Sequence, residues 1–182
     1  DIRGNGRDDL LVVRGPRLTL IDATTGVRNW TFAFKDAHVG LDVKVADILP
    51  DKPGLEAAVF QTHGIEACLF QFPPQGEPQL RWRVDAVTAE EWPAQADHGV
   101  SIQLDLTEPS QPMIWNVRHH RCLGFDARTG QRVSALYYNI AGSYRRNYCQ
   151  WDFGIGEGGR PLLCINSEGS QMKHVHAIRL NR

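Results

Sequence analysis

The sequence is short of most features that commit a chain to a particular class. Only four of its 182 residues are cysteines, at 68, 122, 149 and 164, and no two of them form a CxxC pair. That excludes a fold built on disulfides and a ribbon-type structural zinc site. No run approaches the roughly 20 consecutive apolar residues of a membrane-spanning helix. The opening Asp1-Ile2-Arg3-Gly4-Asn5-Gly6 lacks the charged and then apolar order of a secretory leader. We therefore expect a soluble chain with no transmembrane segment, any export signal having already gone. Neither sign of charge dominates: 20 Lys and Arg stand against 21 Asp and Glu, with no dense basic run, so a nucleic-acid partner is disfavoured. Helical periodicity is scarce, and residues 86–96, closed by Pro93, read only as a short helix or connector. A serine nucleophile elbow and a phosphate-cradling loop are both missing, which disfavours the common hydrolase and nucleotide-dependent mechanisms.

What the sequence does have is a succession of short alternating apolar runs with turn residues between them. Residues 9–13, 18–22 and 29–32 read as strands, joined by Gly15-Pro16 and by Asp22-Ala23-Thr24-Thr25-Gly26. The second turn recurs as Asp126-Ala127-Arg128-Thr129-Gly130, 104 residues on, while Trp30 and Trp82 lie 52 apart, so the spacing is two units and one unit of the same repeat. Apolar strands ending in Asp recur at Asp47, Asp105 and Asp152. Several strands per unit at a period near 50 residues is the pattern of β-propeller blades. The expected fold is all-β, a single propeller domain of about four blades or part of a larger ring, with units at 1–35, 36–87, 96–137 and 145–182. The first unit begins where an innermost strand would have ended, and the last stops after its third strand. A partial ring, completed elsewhere, is the expectation.

Cys149 and Cys164 lie in successive apolar segments around the Gly-rich turn 156–159. A symmetric hairpin would set them opposite each other, implying an oxidising compartment; the other reading is that all four cysteines are small buried apolar residues.

Residues 1–9, Asp-Ile-Arg-Gly-Asn-Gly-Arg-Asp-Asp, followed by Leu10-Leu11-Val12-Val13, resemble the loops of FG-GAP or VCBS propeller repeats. In those loops, oxygen-bearing side chains in a Gly-bent turn precede a hydrophobic strand. The resemblance implies a calcium site at Asp1, Asn5 and Asp9, a chemistry suited to a hard cation. Arg3 departs from the pattern, since it brings a positive charge and no acceptor. Asp47, Asp51 and Glu56 form a second, less regular loop of the same type. Leu18 to Trp30, with its Asp-Ala-x-Thr-Gly turn and closing tryptophan, is similar to a quinoprotein-like propeller repeat; residues 123–130 repeat the turn but carry Val133 where the tryptophan is expected. The turn is a structural element, and no quinone ligand maps onto the chain.

Several residues are candidates for a site. His38 and His98 each precede a strand expected to be innermost, so with Asp42 and Asp97 they would face a central channel, suited to acid-base chemistry or cation binding. His174 and His176 share one face of a strand, the minimum for a shared metal, though no third ligand accompanies them. Tyr138, Tyr144, Arg145 and Arg146 form an aromatic and basic patch that could hold a glycan or a protein by stacking and charged hydrogen bonds, or else serve interblade packing. Asn29-Trp30-Thr31 fits an N-glycosylation sequon inside a strand.

The expected function is a noncatalytic propeller module binding a protein or carbohydrate partner, extracellular or otherwise secretory, with calcium as its candidate cofactor. The alternatives are a fragment of a polysaccharide-lyase-like or quinoprotein-like enzyme, and a structural subunit that completes another chain's propeller.

Overall fold

The computed structural model describes residues 1–36, 40–62, 64–88, 99–118, 121–137, 149–155, 161–169 and 172–179. Among them are fourteen strands and no helix, grouped into four antiparallel sheets that follow one another along the chain. Sheet 1 holds β1 (Asp9–Arg14), β2 (Arg17–Asp22) and β3 (Arg28–Ala33). Sheet 2 holds β4 (Leu41–Ala46), β5 (Leu55–Gln61), β6 (Glu66–Phe72) and β7 (Gln79–Asp85). Sheet 3 holds β8 (Gly99–Asp105), β9 (Met113–Arg118), β10 (Arg121–Asp126) and β11 (Arg132–Tyr137). Sheet 4 holds β12 (Cys149–Ile155), β13 (Pro161–Gly169) and β14 (Met172–Arg179). Each is a meander, with consecutive strands paired in order.

The repeat is written into the registers. In the outer hairpins of sheets 1, 2 and 3 the pairing slips by one residue at the same place, between Leu20 and Ile21, between Leu69 and Phe70, and between Gly124 and Phe125. The residues left over are Asn29, Arg81 and Val133, each directly before Trp30, Trp82 and Ser134. A bulge of this kind sharpens the twist and re-aims the residue that follows it. The structure therefore replaces the sequence comparison at Val133 with one at Ser134, which stands where the first two units have tryptophan.

Two of the outer hairpins share a turn built bond for bond. Asp22 Oδ1 accepts the amides of Thr24 and Thr25 at 3.0 and 2.9 Å, and the Gly26 amide donates to Asp22 O at 2.8 Å. Asp126 Oδ1 accepts Arg128 and Thr129 at 2.9 Å each, and Gly130 donates to Asp126 O at 2.8 Å. Both glycines have positive φ, 70° and 74°, which a side chain would strain. The amide bonds from Thr25, with those of its hydroxyl, hold the Asp22 carboxyl below the usual range.

Sheet 2 is apolar on both faces, and this is why β5 and β6 read as near-continuous hydrophobic runs. Its Ala57, Val59, Cys68 and Phe70 pack on Leu18, Leu20, Trp30 and Phe32 of sheet 1. Alternate residues Ala58, Phe60, Ala67, Leu69 and Trp82 pack on Ile102, Ile114, Leu123 and Phe125 of sheet 3. Aromatic edges meet in both layers: Phe32 and Phe70 at 4.8 Å between centroids, Phe60 and Phe125 at 5.4 Å. Burying one such phenyl is worth about 2–3 kcal/mol.

The link between sheets 2 and 3 is tied further by Trp82. Its Nε1 donates to Ala127 O at 2.8 Å, and its ring lies over Gly130. Beyond sheet 3 the tryptophan at the equivalent outer position is gone, and Trp115 lies instead over Gly124, where a Cβ would come within 2.7 Å of the ring. An indole on an inner strand thus fills room that a glycine leaves open.

Two of the cysteines are free and buried, Cys68 and Cys122. Burial pushes their thiols up to about 12, so neither is a nucleophile at neutral pH. Of the two readings of Cys149 and Cys164, the pairing across a hairpin is not supported by the backbone register, which sets Cys149 against Ser167 and Cys164 against Asp152. The hairpin is not symmetric about their positions, so the two are three residues out of step, on the order of 10 Å along the strand.

Candidate functional site

Residues 1–8 run along one end of sheets 1 and 2. The loop docks through Ile2 O, which accepts the Leu55 amide at 2.9 Å, and through Gly4 and Arg3 O, which lie close against Gly54. Its oxygens are turned to local use. Asp1 Oδ1 and Oδ2 accept the amides of Asn5 and Gly6 at 3.0 and 2.7 Å, and Asn5 Oδ1 accepts that of Arg7 at 3.0 Å. Asp9 is the buried member, and Arg3 reaches it with two bonds, Nη2 to Oδ1 at 2.7 Å and Nε to Oδ2 at 3.2 Å. The donor set of Asp1, Asn5 and Asp9 therefore does not fit a bound calcium ion in this arrangement: a guanidinium already holds both oxygens of the one buried carboxylate.

The second loop of this kind is closed from within as well. Glu56 is fully buried at the start of β5, and its Oε2 accepts the amides of Ile48 and Leu49 at 2.9 Å each. Its Oε1 is buried with no partner among the described residues. Burial raises the Glu56 carboxyl above its usual range, against the pull of those two amides, and Asp47 nearby raises it further.

The other end of the sheets carries the more open chemistry. A cavity of about 380 Å³ lies there, between the connection leaving β3 (Lys35, Asp36), the β5–β6 turn (Gln61, Gly64, Ile65, Glu66) and the end of β7 (Asp85). Its rim is held by side-chain bonds. Gln61 Oε1 accepts the Glu66 amide at 3.0 Å, Gln61 Nε2 donates to Glu66 Oε2 at 3.3 Å, and Arg83 clamps Glu66 Oε1 through Nε at 2.9 Å and through Nη2. Gly64 is required by this closure, because a Cβ there would come within 2.1 Å of Gln61 Oε1. From sheet 3 the buried Arg118 reaches across, Nη2 donating to Gln61 O at 3.3 Å and Gly64 O at 3.2 Å while Nε donates to Asn116 Oδ1 at 2.6 Å. The turn that floors the cavity is thus fixed by one residue more than 50 positions away, a link that no local motif could reveal. Lys35 is the cation on the wall against the carboxylates of Asp36, Glu66 and Asp85, which suits a basic or hydrogen-bond-donating group.

Asp42, of the expected channel group, is at this same end, near the start of β4 and opposite Phe60. Burial raises its carboxyl above the usual range, partly countered by the amides of Val43 and of Ile102 on β8, so it lies between the inner strands of sheets 2 and 3. Its Oδ2 is buried and has no partner among the described residues. The other three members, His38, Asp97 and His98, lie outside the described residues, as do Tyr138, Tyr144, Arg145 and Arg146. His174 and His176 are placed on β14 opposite Ser167 and Ile165. Among the described residues no group of three or more His, Cys, Asp or Glu is gathered for a metal. No helix among the described residues is long and apolar enough to cross a membrane.

No protein-family model matches the chain, and no curated protein matches it. Among solved structures it is similar to the β-propeller domain of Cps50 (Swd1) from Myceliophteria thermophila, with a TM-score of 0.56 and 13% sequence identity. The match covers 94% of this chain and 50% of that one, so the chain spans about half the length of the propeller it resembles. At this identity the likeness is one of fold, and with the four meander sheets it makes the chain an all-β protein of β-propeller blades.

Proposed function

We propose that the chain is a noncatalytic propeller module that binds a protein partner on the end carrying the cavity, with a basic side chain of the partner entering beside Asp85. The observation that supports this reading is the cavity itself, open to one end, with a floor fixed by Arg118 and the Gln61–Glu66–Arg83 network. Glu66 is spent in holding the rim, while Asp85 is exposed and able to meet a ligand. A preformed concave site with few convergent charges is what a recognition surface needs. The similarity to a propeller domain agrees with a scaffold of this kind. Within the propellers, the Asp22 and Asp126 turns support a quinoprotein-like repeat, and residues 1–9 an FG-GAP-like loop that has given up its cation.

The test is an array of basic, acidic and neutral peptides set beside a glycan array, followed by calorimetry on the best binder. Basic peptides are expected to bind, and Asp85→Lys to weaken them roughly five- to tenfold, the scale of one exposed charge reversal, with the melting temperature unchanged. Binding confined to glycans, or indifferent to Asp85→Lys, would move the reading to the carbohydrate partner or to another face.

A further inference from the structure

The two identical turns differ in what lies on them. The turn 126–130 is occupied: Ala127 and Gly130 are buried, Ala127 O accepts the Trp82 indole, and a Cβ on Gly130 would come within 2.7 Å of that ring. In the turn 22–26 the equivalent Ala23 and Gly26 are exposed, and a Cβ on Gly26 would meet nothing within 4 Å. The equivalence extends past the turn itself, since Ala23 donates to Asp8 O at 2.9 Å as Ala127 donates to Pro112 O at 3.0 Å.

The sheet beneath the open turn is uncovered in the same way. On the face of sheet 2 that meets sheet 1, Ala57, Val59, Cys68 and Phe70 are at most 1% exposed. By register their counterparts in sheet 1 are Leu10, Val12, Thr19 and Ile21. There Leu10 is 54% exposed and Val12 39%. Exposed apolar side chains alternating along a strand, with a receiving site for an indole at the rim, make a surface shaped for a sheet.

We propose that this face of sheet 1, with the turn 22–26, is a docking surface for a further antiparallel blade whose outermost strand presents a tryptophan. The occupied turn within the same chain says what the occupant must be. It needs a flat ring to lie against a glycine with no Cβ, and an N–H to reach the carbonyl of the second turn residue, which phenylalanine lacks. Trp30 and Trp82 are both already packed, one on Phe70 and Phe72 and the other on Gly130, so neither supplies it. The surface is at the opposite end of sheet 1 from the cavity, and its test does not depend on the proposed function.

The probe is a blade of known fit. Asp1 stands eight residues before Asp9, as Asp105 stands eight before Met113, and Asp9 and Met113 hold the same register position opposite Asp22 and Asp126. Residues 36–104 placed directly before Asp1 of the full chain would therefore bring a second copy of Trp82 to the turn 22–26 in the spacing by which the first meets the turn 126–130. The readout is the Gly26 α-proton by NMR, because a proton above an indole moves upfield. In the parent chain the Gly130 α-proton is expected upfield and that of Gly26 not, with Trp82→Ala returning Gly130 to an ordinary position. In the extended chain Gly26 is expected to move upfield as Gly130 does, and Trp82→Ala in the added copy alone to abolish the movement while Gly130 keeps its own.

Three results overturn the proposal: Gly26 unmoved in the extended chain, whether or not the added segment folds; resonances of Leu10 and Val12 that shift equally with and without the added tryptophan; or a parent chain that sediments as a dimer with those resonances already shifted, which would make a second copy the occupant.

Discussion

Arg3 and Asp9 form a two-bonded ion pair with the carboxylate fully buried. Asp9 has no exposed side chain and both of its oxygens are held by one guanidinium, so Arg3→Ala leaves a buried carboxylate without its partner. Breaking such a pair from one side costs about 3–5 kcal/mol, and urea denaturation should show a loss on that scale, with calcium leaving the parent's midpoint where it was. Glu56 is the opposite case. Its carboxyl is raised from 4.5 by burial, so the folded state binds a proton that the unfolded state has released. That contribution is complete below 4.5 and is lost as the pH rises through the folded value. Glu56→Gln removes the charge, and the melting temperature of the variant relative to the parent is expected to climb between pH 4 and pH 8; a constant difference would place the cost in the bonds to Ile48 and Leu49 instead. Asp22 and Asp51 act at the acid end, since both are held below 3.8, Asp22 by Thr25 and Asp51 by Arg128, and their contribution disappears as the pH falls below that value.

At the scale of the element, the turn glycines separate conformation from contact. Gly26→Ala strains a positive φ and touches nothing, whereas Gly130→Ala strains an equal φ and also strikes the Trp82 ring. The first is expected to cost about 1–2 kcal/mol and the second clearly more, as measured by denaturant midpoints. Equal losses would mean that the ring gives way freely. These turns were legible in the sequence because Asp-Ala-x-Thr-Gly is local chemistry, one side chain serving amides two and three residues on. The strands were legible for a similar reason, their alternation being a period of two in the residues themselves. The Cys149 and Cys164 pairing was not, because the register of β12 on β13 depends on the shape of the turn between them and a slip of a few residues leaves the composition unchanged. Arg3 stood out in the sequence as the wrong residue for a calcium loop, yet its partner is fixed by the curl of the whole loop. The cavity left no mark at all: Lys35, Gln61, Glu66 and Asp85 meet from three segments, and Arg118 reads as one charge at the end of an apolar strand.

For the whole molecule, the controlling fact is that sheet 2 has two buried faces. Leu69 and Phe70 are neighbours on β6, yet one belongs to the layer against sheet 3 and the other to the layer against sheet 1. Neither layer can open without uncovering a face of the shared sheet, so sheets 1 to 3 should unfold in one transition. Trp30 lies in one layer and Trp82 in the other; in protein labelled with 5-fluorotryptophan, with the fluorine resonances of these two of the five indoles assigned through Trp30→Phe and Trp82→Phe, both are expected to lose their folded signals at the far-ultraviolet midpoint. Separate midpoints would mean that the layers behave as independent repeats. The fold class was within reach of the sequence because the 52-residue spacing of the tryptophans belongs to the architecture, while the way the layers share a sheet belongs to packing.

The two buried thiols turn this arrangement into a clock. Cys68 lies in the layer between sheets 1 and 2, and Cys122, on β10, lies on the face of sheet 3 turned away from sheet 2. With both thiols pushed up to about 12, these two positions should be nearly inert to an alkylating reagent in the closed protein, and each modification there would record one excursion in which that particular junction came apart. Peptide mapping that asks which of Cys68 and Cys122 is labelled first would then name the seam at which the stack parts.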